Sequence, residues 1–298
     1  MTVLPEAGDW RSRLPWPETD THKHARGRLA VVSGPAHRTG AARLAARAAL
    51  RIGAGLVRVM ASPAAIPVLA ASLEAVMVEP FDGADDLGHR LREVDAVVIG
   101  PAAGLGEETV GNLHALARTG AVLVVDADAL SVFESHPDDL FALLDRDDVL
   151  TPHGGEFARL FPDLADLLST EAAAQASVRA DAVVLLKGHE TVIAAPDGRV
   201  AVNPNGSPWL ATAGTGDVLA GITAGLLAQG MAPFPAACAA VWLHAAAAHR
   251  IGHGLIAEDI PQALPGIVQD LPDAVANGPP GHIFTHLPLE PARESEQV

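Results

Sequence analysis

The residues best suited to chemistry in this chain lie together at Gly214-Thr215-Gly216-Asp217. Two glycines flank a hydroxyl residue, a carboxylate follows, and the apolar run VLAGITAGLLA comes next. Glycine lets a backbone approach a ligand closely and adopt positive φ. The run behind it has helical length and no proline, so the glycines are predicted where a loop enters a helix. Free N–H groups at such a junction, with the positive end of the helix dipole, make an anion site. A carboxylate there is a poor phosphate ligand but a good base for an incoming hydroxyl. A purely structural reading is also open, with Asp217 capping the helix above a tight loop. Two features favour chemistry. Gly221 and Gly225 inside the run cost helix stability unless something packs closely. The approach, residues 203–209, holds two prolines, a glycine and two asparagines, the composition of a shaped loop.

The elements that must position these residues alternate. Residues 29–33 (LAVVS) read as a buried strand, broken by Gly34-Pro35, and AARLAARAALRI reads as a helix ended by Gly53 and Gly55. LVRVM is the next strand, completing a βαβ unit. Helices are predicted over 63–71, 86–92, 107–118, 138–144 and 171–180, and strands over 75–79, 95–99, 121–125, 149–150 and 182–186. Residues 191–195 and 199–202 flank Pro196-Asp197-Gly198 and read as a hairpin. Further helices are predicted from Asp217, from Ala236 and over 258–268. The pattern implies an α/β fold, a mostly parallel central sheet with helices on both faces.

Ligands of such sheets bind at the carboxyl ends of the strands. Glycine-rich or polar residues collect at five such ends: 34–41, 100–106, Asp126 and Asp128, 151–156 and 187–191. Most have a structural alternative. Gly104 and Gly106 suit a plain turn. Asp126 suits a turn cap. His153 and Glu156 are three apart and share a face if a helix begins there; Glu156 suits either a helix start or a hydrated magnesium ion. Lys187 suits a phosphate or solvent. His244, His249 and His253 do not share one helix face and read as packing or surface residues.

Hydrophobic residues make up 49% of the 298, aromatics only 4%, and tyrosine is absent. The core is therefore aliphatic, which suits parallel strands under Ala-rich helices. The net charge of −16 argues against a sequence-independent hold on nucleic acid or an anionic membrane. The single cysteine, Cys238, allows no internal disulfide and reads as a small buried hydrophobe. No secretory h-region or membrane-length apolar stretch is visible, so a cytoplasmic enzyme is expected. Residues 1–27 are expected as a surface arm, 28–271 as one domain, and 272–298, rich in Pro, Gly and charge, as a loosely ordered tail.

Read in order, GRLAVVSG, TGAARLAARAALRIGAGLVRV, VVIGPAAGLG, VLVVDADAL, VLTPHGGEFARL, VVLLKGHETVIAAPDG and ATAGTGDVLAGITAGLLAQG resemble the ADP/ATP-dependent NAD(P)H-hydrate dehydratases of the ribokinase-like superfamily. The resemblance spans residues 28–265 and implies a three-layer αβα sandwich. It also implies a stand-alone dehydratase without the epimerase domain often fused to it. The implied substrates are NADH hydrate and NADPH hydrate, hydrated at C6 of the nicotinamide ring. Magnesium and an adenine nucleotide, ADP before ATP, would serve as cofactors. By motif, Asp217 takes the proton of the attacking hydroxyl, and Gly214, Thr215 and Gly216 form the anion hole. Ala41, Gly104, His153 and Asp217 match the hydrate site. Lys187, Gly188, His189, Glu190, Thr191 and Gly216 match the nucleotide site. The family resemblance also implies a homotetramer. Three segments depart from the family pattern: Gly34–Gly40, Gly154 in TPHGGE, and Ser207-Pro208-Trp209. The nearest rival reading is a ribokinase-like kinase acting on a vitamin-precursor alcohol. A non-catalytic nucleotide sensor has no need of Asp217.

Overall fold

The computed structural model describes residues 10–203 and 205–271. Nine strands form one sheet: β1 (Arg28–Val32), β2 (Leu56–Ala61), β3 (Met77–Pro80), β4 (Ala96–Ile99), β5 (Val122–Val125), β6 (Val149–Leu150), β7 (Val183–Leu186), β8 (Val192–Ala194) and β9 (Val200–Val202). Their order is β3-β2-β1-β4-β5-β6-β7-β8-β9. The pairings from β3 through β7 are parallel; β7–β8 and β8–β9 are antiparallel, the latter being the predicted hairpin. The order reverses between β1 and β4, which opens a crevice at their carboxyl ends.

Both faces of the sheet are buried, so its strands read as continuous apolar runs and successive residues serve opposite cores. Val31, Val59, Val98, Val124 and Leu185 enter one core. Its helices include α1 (Gly40–Arg51), α2 (Ile66–Ala70), α9 (Thr215–Ala228), α10 (Pro233–Ile251) and α11 (Asp259–Gln269). Val32, Met60, Val97, Ile99 and Leu186 enter the other. Its helices include α3 (Gly83–Arg90), α4 (Glu107–Leu116), α5 (Asp128–Ser131), α6 (Pro137–Phe141), α7 (Gly154–Leu160) and α8 (Ser169–Ala180). The expected three layers are present.

The two glycines inside α9 have the close neighbour that their cost demanded. A methyl group on Gly221 would collide with the Ala45 backbone, and one on Gly225 would meet Ile52 Cγ2 at 2.5 Å and Ala49 Cα at 3.0 Å. Helices α1 and α9 thus meet backbone to backbone, and α9 itself lies under β1, β4 and β5.

The structure departs from the sequence reading in several places. Helix α9 begins at Thr215 rather than Asp217, and α10 at Pro233 rather than Ala236, because proline is well accommodated in a first turn. The short helix α5 was not predicted. Part of the expected surface arm is packed instead. Trp10 and Leu14 are buried, the Trp10 ring lies 5.4 Å from that of Trp242 on α10, and the Arg11 guanidinium covers both rings. The expected tail lies outside the described residues.

Candidate active site

Helix α9 starts without a side-chain cap. Gly214 occupies the capping position at φ +87°, where an L side chain is strained and where a Cβ would meet Leu44 Cδ1 at 2.8 Å and Ala257 Cβ at 3.0 Å. Glycine is therefore required there on two counts. Thr215 is buried and turns its hydroxyl back to the loop, donating to the carbonyls of Leu210 (2.8 Å) and Thr212 (3.0 Å). With the hydroxyl so employed, what Thr215 and Gly216 offer a ligand is main-chain N–H at the positive end of a helix.

Asp217 is the third residue of α9, not its cap, which removes the capping explanation for this aspartate. Its carboxyl is pushed up to about 6, first by burial and then by the nearby Asp126 carboxylate, while Lys187 pulls it back. A carboxyl tuned toward neutrality suits a general base.

Lys187 is not a solvated surface lysine. Its Nζ lies 2.8 Å from Asp126 Oδ1, and the Asp126 side chain is only 2% exposed. Asp126 also receives the N–H of Ala127, the turn contact expected from sequence. The Lys187 ammonium sits 3.5 Å from where a Cβ on Gly216 would be, which places it directly beside the start of α9. Gly214, Thr215, Gly216, Asp217, Lys187 and Asp126 thus form one centre, assembled from the carboxyl ends of β5 and β7 and the start of α9.

A second helix start lies alongside. Lys187 N–H donates to the Pro152 carbonyl at 2.8 Å, and His153 and Lys187 pair as parallel strand neighbours. His153 caps α7: its Nδ1 accepts from Gly155 N (2.9 Å) and Glu156 N (3.2 Å), and Glu156 Oε2 accepts from His153 N at 2.8 Å. Glu156 is 5% exposed, so it is not a solvated helix-start carboxylate. Between α7, α8 and the 187–190 loop lies an open cleft of about 380 Å³, lined among others by Phe157, Leu167, Leu186, Lys187, Gly188 and His189. Glu190 also lines it, and Thr191 follows at the start of the hairpin.

Gly104 and Ala41 lie across the crevice, in the regions after β4 and β1. Gly104, at φ +95°, donates its N–H to Asp128 Oδ2 at 2.8 Å. Ala41 is half-buried in the first turn of α1, one turn before Leu44, which contacts the Gly214 position. The loops after β1 and β4 touch, since a Cβ on Gly34 would collide with the Ala102 carbonyl.

Sequence reasoning missed two parts of this arrangement. The Asp126–Lys187 pair joins residues 61 apart, and no local spacing announces it. The apolar wall from Phe157 and Leu167 reads in sequence as ordinary helix and loop. Among the described residues, no cluster of three or more His, Cys, Asp or Glu is placed to hold a metal.

The doubly wound sheet, with Asp217 and Lys187 beside an uncapped helix start at its strand ends, has the ribokinase-like architecture. An Enterococcus faecalis protein described as ribokinase-like superposes on it with a TM-score of 0.78 at 26% identity, covering 90% of this chain and 94% of that one. The family described as NAD(P)H-hydrate dehydratase matches residues 29–267, and the chain belongs to that family. An ADP-dependent (S)-NAD(P)H-hydrate dehydratase of Neisseria meningitidis is 40% identical over 257 residues, 82% of this chain and 86% of that protein. The ADP/ATP-dependent dehydratase of Bacillus subtilis, crystallised with ATP and Mg2+, matches at TM-score 0.75 and 27% identity, over 88% of this chain and 96% of that one. The chain spans about half the length of the bifunctional NAD(P)H-hydrate repair enzymes it also matches, 53% of the one from Moorella thermoacetica.

Proposed function

We propose that this protein dehydrates the S form of C6-hydrated NADH or NADPH at the expense of an adenine nucleotide, returning NAD(P)H as a metabolite-repair lyase. The observation that carries the reading is Asp217, raised toward neutrality in the first turn of an uncapped helix beside Lys187.

Asp217 takes the proton of the C6 hydroxyl as that oxygen attacks the terminal phosphoryl group. The N–H groups at Gly214, Thr215 and Gly216 receive the charge that grows on the phosphoryl oxygens. The bond from the terminal phosphorus to the bridging oxygen breaks, so ADP as donor leaves as AMP. The C6 phosphoester then loses phosphate, driven by the lone pair of the ring nitrogen, and loss of a proton from C5 restores the reduced ring. Lys187 stands beside Gly216 and at the rim of the cleft, where it can hold nucleotide phosphate, with the base of the nucleotide against Phe157 and Leu167. Gly188, His189, Glu190 and Thr191 form the outer edge of that cleft. Ala41, Gly104 and His153 line the side open to the hydrate.

The residues present fit a magnesium ion carried in on phosphate oxygens rather than one bound by protein alone, since Glu156 and Asp126 already have partners. Glu156 would hold such an ion through its water shell. When bound, magnesium would neutralise charge on the phosphates. We further propose a cytoplasmic homotetramer; no helix of the described residues is long and apolar enough to cross a membrane. Light scattering returning the monomer mass of 30.7 kDa at micromolar protein would refute the assembly.

Incubation with NADH hydrate, magnesium and either ADP or ATP tests the function. The expected result is recovery of NADH absorbance with release of phosphate, and turnover with ADP at least equal to ATP. A stable phosphoester of the substrate would reassign the protein as a kinase.

A further inference from the structure

Two arginines stand next to Gly104 and His153, and each is held on one edge only. Arg38 ends the turn Ala36–Arg38 between β1 and α1. Its Nη2 lies 3.7 Å from Asp128 Oδ2, longer than a hydrogen bond, and that oxygen already takes the Gly104 N–H at 2.8 Å. Arg159 lies on α7. Its Nε is 3.3 Å from Glu134 Oε2 and its Nη2 is 3.3 Å from Ser131 Oγ. Its Nη1 is on the side of Gly155, 3.8 Å from where a Cβ there would stand, and that same point is 2.9 Å from His153 Cε1. Asp128 and Ser131 are the first and last residues of α5, so one arginine hangs on each end of a single helical turn. Positions three apart on a helix share a face, with Cβ atoms about 5–6 Å apart. The Arg38 and Arg159 side chains are 51% and 43% exposed, and ion pairs so exposed add little stability. Stability is therefore a poor reason for two guanidinium groups here, in a chain whose net charge is −16.

We infer that Arg38 and Arg159 hold the diphosphate of the dinucleotide substrate, one guanidinium from each side of α5. The identity of the ligand rests on the proposed reaction. A dinucleotide whose nicotinamide ring reaches Asp217 past Gly104 and His153 brings two linked phosphates along the same side of the crevice. Lys187 and the start of α9 are taken by the phosphates of the donor, so the substrate needs cations of its own. A planar guanidinium fork matches phosphate oxygens two at a time, and it keeps its charge at any working pH. Asp128 and Glu134 then have a clear part: through weak, exposed contacts they keep the forks aimed until phosphate replaces them. The adenosine end of the substrate lies beyond these arginines, toward solvent.

The test uses Arg38→Gln, Arg159→Gln and the double variant of the full chain. NADH binding is read by fluorescence without donor nucleotide, and turnover of NADH hydrate is read with ADP and magnesium. Each single variant should weaken NADH binding and raise KM for the hydrate about tenfold, and the double variant about 100-fold, the scale of charge-assisted hydrogen bonds. The value of kcat should stay within about threefold and KM for ADP within about twofold. Reduced nicotinamide riboside, which has no phosphate, should bind the wild type and the variants alike. Glu134→Gln separates ligand binding from a structural tie. It removes the carboxylate partner of Arg159 and leaves the arginine, so NADH binding should hold or tighten. A double variant with wild-type affinity and KM overturns the inference. So does an equal loss of the riboside, or a loss in Glu134→Gln as large as in Arg159→Gln. If one single variant does not fold, the other decides by the same readings. A wild-type protein that leaves NADH hydrate untouched refutes the dehydratase reading; NADH binding that still falls in the arginine variants then keeps the diphosphate site, and no NADH binding at all refutes both. Normal wild-type turnover with unchanged KM in the variants refutes the inference alone.

Discussion

Two helices begin side by side at the same edge of the sheet, and they are finished in opposite ways. Helix α7 closes itself: His153 Nδ1 takes the Gly155 and Glu156 N–H groups of its first turn, and Glu156 takes that of His153. Helix α9 has no such cap, and its glycine entrance stands open beside Lys187 and Asp217. A capped helix start is a structural joint, and an uncapped one is a binding site in waiting. The difference separates the residues expected to do chemistry from those expected to hold shape, although both helix starts carry an acid within their first three residues.

The largest effect that could break this contrast belongs to Asp217. Asp217→Asn keeps size and removes the base, so kcat should fall about 10²–10⁴-fold while nucleotide affinity is kept or improved. Near-normal turnover would end the general-base assignment. Next comes Lys187. Lys187→Met strands the buried Asp126 carboxylate and should cost about 3–5 kcal/mol in denaturant unfolding. The double variant with Asp126→Asn should recover most of it; a single variant as stable as wild type would mean the pair is not buried as described.

The raised Asp217 group gives the third test, and its sign can be worked out. In the unfolded chain this carboxyl ionises near its ordinary 3.8, in the folded protein only at about 6. Between those values the folded state holds the extra proton, so this group's contribution to stability falls as pH rises, and the penalty persists above about 6. Asp217→Asn should therefore raise the melting temperature at neutral pH and leave it unchanged below about pH 4. In the intact enzyme, kcat/KM should fall about tenfold per pH unit below about 6. A flat profile from pH 5 to 7 contradicts this. The smallest effect sits on α7: His153→Ala should cost about 1 kcal/mol of stability, the worth of a cap. It should reduce kcat far less than Asp217→Asn does. A comparable collapse of kcat would erase the distinction between the two helix starts.

Much of the fold was legible because parallel strands buried on both faces announce themselves as short aliphatic runs, VVLL at 183–186 among them. The glycine entrance to α9 was legible for a related reason, since a glycine cluster before an apolar run points to a loop that enters a helix. Short elements were not: α5 has four residues, too few for a helical period to show. The pairing of Asp126 with Lys187 was hidden because parallel crossovers bring distant residues together with no local mark. The burial of Trp10 was hidden in a polar, proline-broken stretch, and was decided by Trp242 more than 200 residues later. His244 looked like any histidine in a helix, and only its burial with an unpartnered Nε2 sets it apart.

The seam between α1 and α9 has a consequence for how this protein can change. Where helices touch through long side chains, a substitution can be absorbed by rotamer shifts in its neighbours. At Gly221 the neighbour is the α1 backbone at Ala45, and at Gly225 the Ala49 backbone stands beside Ile52 Cγ2, so no rotamer shift alone clears the seam. A larger residue must instead push the whole of α9 along or away from α1, and the displacement is carried rigidly to Asp217, which lies on the same helix. The alanines at 45 and 49 and the glycines at 221 and 225 are thus expected to vary as a set, and drift at any one of them should be felt as a lost rate before it is felt as a lost fold.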